Sequence, residues 1–220
     1  MHENLINRIK QIVFAEFQNE ATGHDWHHID RVYSNACYIQ SVEGGNKVII
    51  ELAALLHDIS DHKFNGGKLD EGGKVAYNLL IENGCDETTA LQVKEIVDGV
   101  SFKGANVEDK MLTLEGKIVQ DADRLDALGA IGIARAFAFG GKRNRPIYDS
   151  TSSPILHDSF DSYASAKSHT INHFYEKLLL LKNRLHTDTA RVIGEERHIY
   201  MEKFLDQFYR EWEINKTIKN

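Results

Sequence analysis

Apolar residues recur along this chain at three- and four-residue intervals, and nowhere alternate one by one as a half-buried strand requires. Leu5, Ile6, Ile9, Ile12, Val13 and Phe17 predict a first amphipathic helix. Ile29, Val32, Ala36 and Ile39 form the stripe of a second, from about Asp25 to Ser41, which Gly44-Gly45 closes. Val48 to Ile59 is apolar nearly all round, the mark of a buried central helix, and its last turn carries His57-Asp58. Further helices are predicted over about Lys74 to Asn83, Glu87 to Val100 after a cap at Asp86, Leu112 to Leu128, and Ile131 to Phe139. Two long ones follow, from Asp161 to near Arg184 and from Thr189 to Glu213. Ser60 to Gly73 and Gly140 to Pro154 read as loops, the second rich in basic and hydroxyl residues. With no internal repeat, low-complexity tract or alternating strand pattern, residues 1–220 read as a single all-α domain, a helical bundle with its C-terminal helices (161–213) packed on the rest.

Composition narrows the function classes. Two prolines in 220 residues permit long uninterrupted helices. Lys+Arg 26 against Asp+Glu 33 gives a net charge of -7, which argues against a general nucleic-acid coat and leaves room for a local basic pocket. No apolar run approaches the ~20 residues of a membrane span, and the N-terminal stretch lacks the form of a secretion signal. Cys37 and Cys85 form no metal-binding spacing and read as reduced core thiols. The chain is expected to be cytoplasmic, with no membrane and no nucleic-acid polymer as partner; its oligomeric state is not set by the sequence.

Three stretches carry chemistry. His57-Asp58 ends a buried helix, where an ionised carboxylate beside an imidazole is costly unless something compensates, and a divalent cation would. Judged alone, the pair reads more simply as a cap and a core hydrogen bond. Gly23-His24-Asp25-Trp26-His27-His28 sets three histidines in a short span; His24 and His28 lie four apart and can share a face, while His27 points away from His28. Asp121-Ala122-Asp123-Arg124-Leu125-Asp126 lies within an amphipathic helix. Asp121 and Asp123 face nearly opposite sides, so one ion cannot use both, and periodicity does not say which. Asp126 reads as an outer-face charge.

Taken in order, His…His-Asp…Asp on separate helices resembles the HD-domain phosphohydrolase superfamily, and the stretches Gly23 to Val32, Leu55 to Phe64 and Gln120 to Arg135 look like its small bacterial hydrolases. The resemblance implies an HD-domain bundle with its metal-site core at about 25–135, and names His28, His57, Asp58 and Asp123 as ligands of one divalent ion. Asp121 then becomes a helper that orients a ligand. Manganese is favoured among Mg, Co, Ni, Fe and Zn, since imidazole-carboxylate sites accept several ions.

Two imidazoles and two carboxylates nearly neutralise a dication and leave positions open for water and phosphate, which suits phosphoryl transfer. Asp61 is the candidate general acid or base, with His24 and His27 for phosphate contact or leaving-group protonation. Arg31, Lys63, Arg124, Lys142, Arg143 and Arg145 are the candidate phosphate-binding cations; for Arg31 and Arg124 a structural salt bridge is the main rival. The resemblance implies a small-molecule nucleotide substrate, with triphosphates cleaved to monophosphate and pyrophosphate favoured. Monophosphate or cyclic-nucleotide hydrolysis at the same site and a non-catalytic nucleotide sensor are the alternatives. A zinc peptidase, suggested by the faint likeness of residues 24–28 to HExxH, leaves His57-Asp58 unexplained.

Overall fold

A computed structural model describes residues 2–19, 25–59, 72–109, 111–159 and 168–213. Among them every regular element is helical: α1 (His2–Phe17), α2 (Trp26–Glu43), α3 (Lys47–Leu56), α4 (Gly72–Glu82), α5 (Glu87–Val100), α6 (Leu114–Asp126), α7 (Gly129–Lys142), α8 (Thr170–Glu176), a 3-10 helix (Leu178–Arg184) and α9 (Asp188–Trp212). The all-α expectation holds. None of these helices is long and apolar enough to cross a membrane.

The bundle is built around α3, whose residues from Ile49 to Leu56 are all buried. It packs against α1, α2, α5 and α6. Leu52, Leu55 and Leu56 keep no exposed surface, and each contributes roughly 1.5–3 kcal/mol through burial. Glu51 is buried in the same helix and accepts a hydrogen bond from the Tyr33 hydroxyl at 2.9 Å, which offsets part of its desolvation. Gly44 and Gly45, with φ of 83° and 88°, turn the chain from α2 into α3. α9 packs along α7 and α6 and reaches α2. Asp25, Asn46, Asp86, Thr113 and Thr187 each cap a helix N-terminus with a side-chain oxygen.

Several boundaries differ from those the sequence predicts. α3 ends at Leu56, so His57-Asp58 lie just beyond the helix rather than in its last turn. The His57 imidazole donates from Nδ1 to the Ala54 carbonyl at 2.8 Å, satisfying an acceptor that a helix end leaves open. α7 continues to Lys142 through Gly140, where the sequence predicts that a loop begins. A Cβ at Gly140 would stand 2.3 Å from Thr170 Oγ1, so this glycine admits α8 rather than ending α7.

The long helix expected up to Arg184 is interrupted. Residues 160–167 lie outside the described residues; beyond them α8 stops at Glu176, and a 3-10 turn begins at Leu178. Its three-residue repeat stacks Leu178 and Leu181 on one side, and both are buried. Cys37 and Cys85 are free and half-buried.

Candidate metal centre

The first turn of α2 is fixed by Asp25, whose carboxylate accepts from the His28 N–H at 2.8 Å. This cap sets the first turn of α2, against α6. The His28 ring, buried there, reaches Asp126 with Nδ1 at 2.7 Å and the carboxylates of Asp58 and Asp123 with Nε2 at 3.4 and 3.5 Å. Asp123 and Asp126 sit three residues apart in the last turn of α6 and share a face. Directly after α3, His57 Nε2 lies 3.6 Å from Asp58 Oδ2 and 3.9 Å from Asp123 Oδ1.

The two Nε2 atoms of His28 and His57 stand 3.1 Å apart. Each ring gives its Nδ1 to a group that only accepts, the Asp126 carboxylate and the Ala54 carbonyl. In its neutral form each ring would therefore carry hydrogen on Nδ1 and turn the lone pair of Nε2 toward the cluster. Four Lewis-basic atoms thus converge, and His28, His57 and Asp58 each place a ligand atom within 4.8 Å of the others. Such a donor set fits one divalent cation of the kind that imidazole and carboxylate share. The enclosure is one-sided: side-chain exposure is 0% for His28, 1% for His57 and 9% for Asp58, but 31% for Asp123.

The charges are mutually adjusted. Burial and the Arg135 charge push the His28 imidazole down, but hydrogen bonds to Asp126 and Asp58 outweigh them and raise it above its ordinary value. Burial would raise Asp123, yet the neighbouring His57 and His28 hold it low. Asp126 is likewise desolvated, and His28, Arg31 and Arg135 together hold it far below the usual carboxylate range.

Other residues singled out in the sequence are scattered. His24, Asp61 and Lys63 lie outside the described residues. His27 is exposed on α2. Arg31 forms a two-point bond to Asp126, Nε to Oδ1 at 2.6 Å and NH2 to Oδ2 at 3.0 Å. Arg124 is buried on another face of α6, with NH2 2.7 Å from Asp109 and NH1 donating to the Arg184 carbonyl. For both arginines the structural ion pair is what the geometry displays. Lys142 and Arg143 are exposed at the end of α7, and the Arg143 and Arg145 guanidiniums lie 5.3 and 5.9 Å from the Phe139 ring centre.

Two readings of acidic residues are corrected. Asp121 touches no member of the cluster; it accepts from the His186 and Thr187 N–H groups and the Thr187 hydroxyl at 2.7–3.1 Å, tying α6 to the start of α9. Asp126 is no outer-face charge but a buried partner of His28. A signal was present: on α2 His28 and Arg31, and on α6 Asp123 and Asp126, are three apart, so each pair shares a face.

The HD domain family matches residues 25–128. The uncharacterized protein YpgQ of Bacillus subtilis is 38% identical over 205 residues, covering 93% of this chain and 92% of its own. A crystal structure of YpgQ in complex with ADP, at 36% identity, has a TM-score of 0.73 over 94% of this chain and 97% of that one. An HD-superfamily hydrolase from Bacillus thuringiensis is 40% identical, with a TM-score of 0.73 over 96% and 98% of the two chains. A Lactobacillus plantarum protein, 34% identical, reaches 0.87 over 96% and 97%.

Proposed function

This chain belongs to the HD domain family, and on that premise we propose that it is a metal-dependent phosphohydrolase of nucleotides, cleaving nucleoside triphosphates to monophosphates and pyrophosphate. The observation that carries the reading is the 3.1 Å approach of the His28 and His57 Nε2 atoms beside the Asp58 and Asp123 carboxylates. His28, His57, Asp58 and Asp123 hold the ion in this reading, with manganese favoured. When bound, a divalent ion supplies Lewis acidity toward phosphoryl oxygen and water.

The chain's own residues do the rest. The three enclosed ligands keep bulk water from the back of the site, and the exposed edge at Asp123 leaves the phosphate an approach. Water adds to the α-phosphorus while the bond to the bridging oxygen breaks; that oxygen leaves with pyrophosphate, and a proton passes to a base. Asp61 is proposed as that base, and His24 and His27 as groups that contact phosphate or protonate the leaving oxygen. Lys142, Arg143 and Arg145 are proposed to meet the outer phosphates of the polyanion. The ADP held by YpgQ supports a nucleotide as the ligand class here.

The test is release of phosphate and of pyrophosphate from a nucleotide panel, repeated with Mn, Mg, Co, Ni and Zn. Pyrophosphate from triphosphates in a metal-dependent reaction is expected. Phosphate from monophosphates alone would move the reading to a monophosphatase, and binding without turnover would make the chain a sensor.

A further inference from the structure

His28 is held by its back edge as firmly as by its front. Nδ1 lies 2.7 Å from Asp126 Oδ2. Arg31 donates to both oxygens of that carboxylate, at 2.6 and 3.0 Å, and Arg135 NH1 stands 3.0 Å from Oδ2. Arg135 also donates to the Asp126 backbone carbonyl at 3.3 Å. Donors from α2 and α7 therefore meet on one buried side chain of α6.

We propose that Asp126 is a positioning residue of the metal centre: it locks His28 with hydrogen on Nδ1 and a free Nε2 lone pair, and Arg31 and Arg135 serve this carboxylate rather than the substrate. The inference rests on the metal-centre reading above. A neutral imidazole has two tautomers, and the one with hydrogen on Nε2 presents a donor where a ligand lone pair is needed. A carboxylate offers about four lone-pair sites. Here His28 and Arg31 account for three donated hydrogens spread over both oxygens, and Arg135 stands beside Oδ2 as a second cation, so rotation of the carboxylate would break several contacts at once. The guanidiniums also offset the cost of burying its charge. A cluster that merely stitched three helices together would require none of the bonds to end on a ligand's ring.

The experiment compares the parent protein with Asp126→Asn and with Asp109→Asn, which breaks a carboxylate–arginine pair on a different face of α6. Mn(II) titration by calorimetry, on protein held well below its unfolding midpoint, is expected to show binding weakened about 10- to 100-fold by Asp126→Asn. Asp109→Asn should lower the midpoint and leave the Mn(II) Kd within about threefold, the same order-of-magnitude yardstick. Long-range proton–nitrogen spectra of metal-free parent, at mildly alkaline pH, should place the His28 hydrogen on Nδ1. A parent His28 protonated on Nε2 would overturn the proposal even if Asp126→Asn fails to fold. So would an Asp126→Asn protein that folds and binds Mn(II) like the parent. If the parent binds no Mn(II) at all, the metal reading falls, while the His28 tautomer still decides the role of Asp126.

Discussion

At the scale of single residues, Asp58 separates chemistry from architecture most cleanly. It lies beyond the last residue of α3, and its carboxylate stands 3.4 and 3.6 Å from the two Nε2 atoms. Asp58→Ala should therefore abolish metal-dependent turnover, beyond the roughly 10- to 100-fold that loss of a supporting partner causes, and leave most helical circular dichroism in place. Normal activity in that variant would remove Asp58 from the mechanism. How far such residues were legible depended on what each signal encodes. His57-Asp58 at the edge of an all-apolar helix stands out because burying charge there needs a reason. Asp126 was misread because one helix seen alone cannot reveal the arginines that face it from α2 and α7. Asp121 was misread for the same reason: its partners lie 65 and 66 residues away.

At the scale of elements, periodicity located the helices and blurred their ends. It failed where two periods share one apolar run. Leu178 to Leu181 fits both 3.6 and 3.0 residues per turn, and only tertiary burial of Leu178 and Leu181 selects the tighter one. Glycine misled at Gly140 because close packing and chain reversal call for the same residue. The start of α9 shows how one element is held in place. Asp121 from α6 binds His186 and Thr187, and Glu43 from the end of α2 accepts from the Thr189 N–H at 2.8 Å and its hydroxyl at 2.7 Å. A negative group there also suits the positive end of the helix dipole. The Thr189 hydroxyl and N–H lower the Glu43 pKa. Its stabilising contribution is thus present above the ordinary glutamate value and is lost as pH falls through the depressed one. Glu43→Gln should melt at a lower temperature than the parent near neutrality, and the gap should narrow in acid, as a pH series of thermal melts would reveal. A gap independent of pH would deny Glu43 that role.

At the scale of the whole molecule, charge is distributed against the requirements of a polyanionic substrate. The chain carries a net charge of -7, so a nucleotide approaching at random meets repulsion that only a local cationic region can offset. Lys142, Arg143 and Arg145 are the proposed region, at the end of α7, with Arg143 and Arg145 beside Phe139. α7 also carries Arg135 against Asp126, so one helix runs from the back of the metal centre to this basic end. If these three cations meet substrate phosphates, their effect belongs to binding and not to the chemical step, because they lie at the C-terminal end of α7 and not on the elements that carry the converging ligands. Replacing all three with glutamine should raise KM about tenfold or more, on the order of 1.4 kcal/mol, with kcat largely kept. Raising ionic strength should weaken the parent's apparent affinity more steeply than the variant's, since screening acts on the charges removed. Steady-state kinetics of both proteins across a salt series would reveal it; equal KM values with parallel salt slopes would return Lys142, Arg143 and Arg145 to the role of solvated surface charges.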